Sequence, residues 1–201
     1  DLLKILMKAR EISELTEGAF DITFLSKEPS DYSNVFLAPE LSLAALRTPK
    51  TQIGVSGIAK GYIVDRMSEV LRKAGFKKFL VNAGDLYAAG PWKIGIRNPE
   101  GGKGATLCTL LVHNRAVSTS GLYERGRHII DPTTHKPVTR LKSVTVIADS
   151  SILADALGTG AFVMGKDKIP LLAKKIPNIS ILFVDNQGVR GAVGKVSECL
   201  P

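Results

Sequence analysis

Leu2, Leu3, Ile5, Leu6, Ile12 and Leu15 recur at helical spacing, with Lys4, Lys8, Arg10 and Glu14 on the opposite side. This predicts an amphipathic helix over residues 1–17, ended at Gly18, a residue free to adopt positive φ. Ala19-Phe-Asp-Ile-Thr-Phe-Leu25 reads as a strand, and the polar stretch Ser26–Asn34 as a loop. A short helix is expected from Pro39 to Arg47. Ser56 is a suitable N-cap for a long helix through Ala59, Ile63, Val64, Met67, Val70 and Leu71, stopped by Gly75.

Beyond Gly75 the pattern shortens. Strand-like stretches at 78–82, 92–97, 106–112 and 115–119, separated by Gly- and Pro-containing turns, predict a β-meander. A loop carrying His128-Ile-Ile-Asp-Pro132 leads to a buried strand at Ser143–Ala148 and a helix over 152–164, capped by Ser150 or Ser151. The chain closes with a helix at 167–175, a strand at Ile179–Val184, a turn at Asn186-Gln-Gly188 and a strand near 189–193. Helices and strands alternate irregularly rather than in βαβ units. The expected class is therefore α+β, a single domain over 1–201 with a mixed, largely antiparallel sheet and flanking helices. Gly84, Gly90 and Gly95 do not open a helix with dinucleotide-fingerprint spacing, which disfavours a Rossmann site.

Composition narrows the partners. With 201 residues, 44% of them hydrophobic and 23% charged, the chain is globular. A chain of this length buries roughly 70% of its unfolded surface. No apolar run approaches the ~20 residues of a membrane-spanning helix. The net charge of +8 favours anionic partners, but the lysines are dispersed and aromatics make up only 6%, so no specific nucleic-acid partner is expected. A phosphorylated small molecule suits the same charge. Cys108 and Cys199 lie far apart and suggest neither a disulfide framework nor a thiolate metal site; Cys108 is expected to be a buried thiol.

Three segments bring candidate chemistry together. Asp155 and Thr159 stand one turn apart on a predicted helix, which places two hard oxygen donors on one face. That pair suits Mg²⁺ or Ca²⁺; equally, Asp155 can complement the helix dipole while Thr159 bonds back to a carbonyl. Ser56-Gly-Ile-Ala-Lys-Gly61 puts small residues and Lys60 at a helix entrance, where free N–H groups suit an anion; simple capping and packing fit the same pattern. Ser118-Thr-Ser-Gly121, read as a turn after a strand, has the same two readings. His128, three residues before Asp131, is either a structural histidine or a base suited to neutral pH.

Taken in order, Gly18-Ala-Phe-Asp-Ile-Thr23, Ser56-Gly-Ile-Ala-Lys-Gly61 with Asp65, Val81-Asn-Ala-Gly84, Thr119-Ser-Gly121, His128-Ile-Ile-Asp-Pro132 and Ala154-Asp-Ala-Leu-Gly-Thr159 resemble the ApbE family of FAD:protein FMN transferases. The resemblance implies an α+β fold and Mg²⁺-dependent transfer of FMN from FAD to a Thr or Ser hydroxyl of a target flavoprotein, with AMP released. It also implies roles for individual residues: Gly57 through its carbonyl, Asp155 and Thr159 as metal ligands; Ala19, Phe20, Asp21, Lys60, Ser120, Gly121 and Ile129 as flavin-nucleotide contacts; His128 as general base.

Departures from the family pattern are equally specific. The family's usual N-terminal segment is expected to be absent, and the connection from Phe24 to Ile53 is short. Gly54 stands where an Asp is common, Asn82-Ala-Gly-Asp85 has one Gly fewer, Leu122 replaces a polar residue and His135 replaces a Gly. Two alternatives follow: a degenerate member that binds FAD, FMN or a partner without transfer, and a Mg²⁺-dependent FAD pyrophosphatase. A periplasmic or membrane-associated location is implied by the resemblance alone.

Overall fold

The computed structural model describes residues 1–102 and 104–196. Helix α1 (Leu2–Leu15) buries Ile5, Leu6, Ala9 and Ile12, the apolar face its spacing predicts. It ends where Glu17 and Gly18 both take positive φ and the Gly18 N–H donates to the Ser13 carbonyl at 2.8 Å. The segment 19–25 is a turn, not the expected strand. No strand pairs with it among the described residues, and the buried Asp21 carboxylate instead accepts from Thr23 N and Oγ1 and from Tyr32 N at 2.7–2.9 Å. This internal satisfaction lets Phe20 and Ile22 enter the core without ladder hydrogen bonds.

The helix expected at Pro39–Arg47 is a hairpin. Strand β1 (Val35–Ala38) pairs antiparallel with β2 (Leu43–Leu46) through a one-turn 3₁₀ segment at Pro39–Leu41. Ser42, at φ 52°, turns the chain back. Pairing thus overrides the helical preference of Leu43-Ala-Ala-Leu46.

Helix α2 (Ala59–Lys73) leads into a six-stranded sheet with strands in sequence order: β3 (Phe79–Asn82), β4 (Leu86–Arg97), β5 (Thr106–Gly121), β6 (Leu141–Ala148), β7 (Ser180–Asp185) and β8 (Arg190–Val193). The expected meander is present, and the sheet, expected to be largely antiparallel, is antiparallel in every pairing. The two strands expected at 106–112 and 115–119 are one strand with an irregularity at Asn114, whose side chain accepts from Gly90 N at 2.8 Å. Consequently Ser118-Thr-Ser-Gly121 is strand, paired with β6, and not a turn. Cys108 is half-buried and disulfide-bonded, not a buried free thiol; Cys199 lies outside the described residues.

Helix α4 (Ser151–Met164) is predominantly apolar and largely buried, packing against α2, β5, β6 and α1; the short α3 (Leu122–Arg125) precedes it. Helix α5 (Ile169–Lys175) follows it, packed on β7 and β8. One core lies between these helices and the sheet, and a smaller one around Ile94, Ile96, Leu110, Val112 and Leu182 covers the opposite face. Among the described residues, no helix is long and apolar enough to cross a membrane.

Candidate functional site

Two helix entrances meet at the head of α4, and each is capped by the other's side chain. Ser56 is not the N-cap of α2; the helix begins at Ala59 after Ile58, which makes no side-chain cap. The Gly61 N–H in its first turn donates instead to Asp155 Oδ2 of α4 at 3.0 Å. In return, Asp65 of α2 accepts from Ser151 N at 2.7 Å and Ile152 N at 2.9 Å, closing the start of α4. The exchange requires close backbone approach. A Cβ built on Gly61 would lie 2.2 Å from the Ser151 carbonyl oxygen, so only glycine fits. Of the N–H groups at this entrance, those of Ile58 and Ala59 donate to the Val55 carbonyl and that of Gly61 to Asp155.

Every residue that the sequence nominated lines one cleft. Ala19, Phe20 and Asp21 come from the turn after α1, Gly57 and Lys60 from the entrance of α2, Ser120 and Gly121 from the end of β5, His128 and Ile129 from the following loop, and Asp155 and Thr159 from α4. Sequence reasoning missed four further contributors. Asp85 and Phe24 line the cleft, Tyr123 stacks under the Arg97 guanidinium at 4.6 Å, and Ser118 anchors Asp85. Asp85 had a visible signal, a carboxylate directly after the Asn82-Ala-Gly84 turn; Tyr123 had none.

The electrostatic centre is a triad of two buried carboxylates and a partly exposed ammonium. Lys60 Nζ donates to Asp85 Oδ2 and to Asp155 Oδ1, both at 2.8 Å, and Asp85 Oδ1 accepts from Ser118 Oγ at 2.6 Å. Both carboxylates are only 2% exposed. Burial, reinforced by the neighbouring Asp85 charge, pushes the Asp155 carboxyl up to about 6 against the opposing pull of Lys60. Burial also works against the Lys60 ammonium, but Asp155 and Asp85 together outweigh it and hold its pKa above the ordinary lysine value.

The donors around Asp155 suit a hard cation. Thr159 Oγ1 has no hydrogen-bond partner among the described residues, so it does not bond back to its own helix. It faces Gly57, where an added Cβ would fall 3.1 Å from it. A buried carboxylate, an unengaged hydroxyl and an adjacent main chain form an oxygen-only set for Mg²⁺, which keeps several water or phosphate ligands. No cluster of three or more His, Cys, Asp or Glu side chains that could hold a metal ion exists among the described residues.

His128 is exposed at the rim, with Nδ1 3.0 Å from the Gly126 carbonyl. With Nδ1–H donating there, Nε2 is the free acceptor. Asp131 does not pair with it, because its carboxylate accepts from Thr133 N and Thr134 N in its own turn. His135 has φ 53°, the conformation that a glycine adopts without strain. Gly54 leaves room for the Phe24 ring, since a Cβ there would fall 2.6 Å from Phe24 Cε1.

An antiparallel meander under a buried helix, with an oxygen-rich cleft at that helix's head, defines an α+β protein with a candidate binding cleft. The sequence model of the ApbE family matches residues 1–183, and the chain belongs to that family. It is 30% identical over 228 aligned positions to the FAD:protein FMN transferase of Haemophilus influenzae, covering 92% of this chain and 66% of that one. Identity to a Klebsiella pneumoniae protein of the same name is 34%, over 69% of this chain and 47% of that one. The chain therefore spans between about half and two thirds of these curated relatives. Among solved structures, the ApbE protein of Thermotoga maritima superposes with a TM-score of 0.84 at 29% identity, over 94% of this chain and 74% of that one. The apo flavinyl transferase ApbE of Pseudomonas stutzeri gives 0.81 at 26%, over 99% and 74%.

Proposed function

We propose that this chain carries the catalytic cleft of an FAD:protein FMN transferase, moving FMN from FAD to a Thr or Ser hydroxyl of a target flavoprotein and releasing AMP. The observation that carries the reading is the convergence of His128, Lys60, Asp155, Thr159 and Gly57 on one cleft in a chain whose relatives bear that activity's name.

The acceptor oxygen forms a bond to the phosphorus of the FMN moiety, the bond from that phosphorus to the AMP oxygen breaks, and AMP leaves with the electron pair. His128 Nε2 takes the hydroxyl proton, and its exposed position at the rim suits an acceptor arriving on a separate protein. Asp155, Thr159 and the Gly57 carbonyl would hold Mg²⁺, whose chemistry is to neutralise charge on the pyrophosphate. Lys60 adds a positive charge at the same end of the cleft. Phe20, Ile129 and Tyr123 offer apolar walls for a flavin or adenine ring.

The test is incubation with FAD, Mg²⁺ and a flavoprotein domain containing an acceptor Thr. Mass spectrometry reads FMN added to the domain and chromatography reads free FMN. An adduct that disappears in His128→Gln supports transfer. Free FMN without adduct replaces the reading with hydrolysis, and intact FAD with measurable binding replaces it with a non-catalytic binder.

A further inference from the structure

The ligand set just described has a competitor inside the protein. Asp155 Oδ2 is committed to the Gly61 N–H, and Oδ1, the oxygen left for a cation, is occupied by the Lys60 ammonium at 2.8 Å. A divalent cation on that oxygen and an ammonium at hydrogen-bond distance from it repel at close range. Lys60 has somewhere to go. Its side chain is 37% exposed and sits on a flexible four-carbon stem. Its second partner, Asp85 Oδ2, is equally near at 2.8 Å. Asp85 itself is immobilised: Ser118 Oγ of β5 holds its other oxygen at 2.6 Å, and its own carbonyl accepts the Ala83 N–H at 2.9 Å.

We infer that Lys60 is the resident counter-cation of Asp155, that a divalent cation binds by displacing it, and that Asp85, pinned by Ser118, is the positioning residue that receives the released ammonium. This rests on the metal reading above and adds an exchange to it. The charges support the sequence of events. Two carboxylates and one ammonium leave the triad with a single negative charge. A divalent cation turns this into a single positive charge, now complementary to a pyrophosphate, with Lys60 still paired and still in the cleft. Without Asp85, the displaced ammonium would face the dication unpartnered.

Mn²⁺ is the probe, because it suits the same oxygen donors and its free aquo form is counted by electron paramagnetic resonance. Wild type, Lys60→Met, Lys60→Gln, Asp85→Asn and Asp155→Asn are titrated at pH 8 without nucleotide, after thermal melts establish which are folded. The expected result is Mn²⁺ binding about tenfold tighter in either Lys60 variant, about tenfold weaker in Asp85→Asn, and lost in Asp155→Asn. The Asp85 effect should shrink once Lys60 is removed, a coupling read by the double-mutant cycle. A purely structural triad would weaken binding in every variant, so tightening on removal of Lys60 is the diagnostic outcome.

If both Lys60 variants bind Mn²⁺ no better than wild type while Asp155→Asn still abolishes binding, the exchange is wrong and the metal reading survives. Unchanged affinity in Asp85→Asn removes Asp85 from it. Absence of Mn²⁺ binding in wild type and all variants overturns both readings together.

Discussion

Burial, with the Asp85 charge beside it, makes the Asp155 carboxylate costly to ionise in the folded state. Its folded pKa, pushed up to about 6, lies above the ordinary aspartate value of 3.8. The native state therefore holds the proton more tightly than the unfolded chain does. Stability from this group is complete below about pH 4 and is lost as pH rises through about 6. Asp155→Asn keeps an acceptor for Gly61 N–H and leaves Lys60 with Asp85. The variant should melt higher than wild type at pH 7.5, with the advantage vanishing toward pH 4; a lower melting point at pH 7.5 contradicts the account. His128 is the opposite case. Among the described residues its side chain makes one hydrogen bond, with the Gly126 carbonyl, and it is exposed. His128→Gln should cost under about 0.5 kcal/mol in denaturant unfolding yet lower transfer roughly 10²–10⁴-fold. Both side chains were legible in the sequence as candidate chemistry. The Lys60 bridge was not, because Lys60, Asp85 and Asp155 are brought together from three separate elements.

At the scale of elements, α2 and α4 form a unit through reciprocal caps and one glycine contact. Asp65→Ala removes the acceptor for two helix N–H groups and should cost about 1–2 kcal/mol in urea unfolding. Gly61→Ala forces a methyl group into the Ser151 backbone. It should cost at least 1–3 kcal/mol and weaken Mn²⁺ binding by shifting Asp155; wild-type stability and binding in that variant would show that the helices part without strain. The helices themselves were predictable from periodicity, as were the meander strands. The strand expected at 19–25 and the helix at 39–47 failed for one shared reason. Both segments have local preferences weaker than the tertiary demand, which Asp21 meets with its own hydrogen bonds and Val35–Ala38 meets by pairing with Leu43–Leu46. The cap at Ser56 failed because a better acceptor, Asp155, arrives from another helix.

For the whole molecule, metal and nucleotide binding should register as stability, since ligands that bind only the native state stabilise it by mass action. At a hundredfold excess over Kd the gain is about 2.7 kcal/mol, a melting shift of roughly 5–10 °C for a chain of this size. Mg²⁺ with FAD should produce such a shift in wild type and none from Mg²⁺ in Asp155→Asn, as read by calorimetry. The α+β class, the meander and a part of the cleft lining were legible in the chain, because periodicity and short ordered motifs are local properties. Only the tertiary structure decided that the sheet is antiparallel throughout, that two helices cap each other, and that a lysine sits between two buried carboxylates. Those are contacts between residues 25 to 95 positions apart, and one sequence carries no signal for which distant charges will meet.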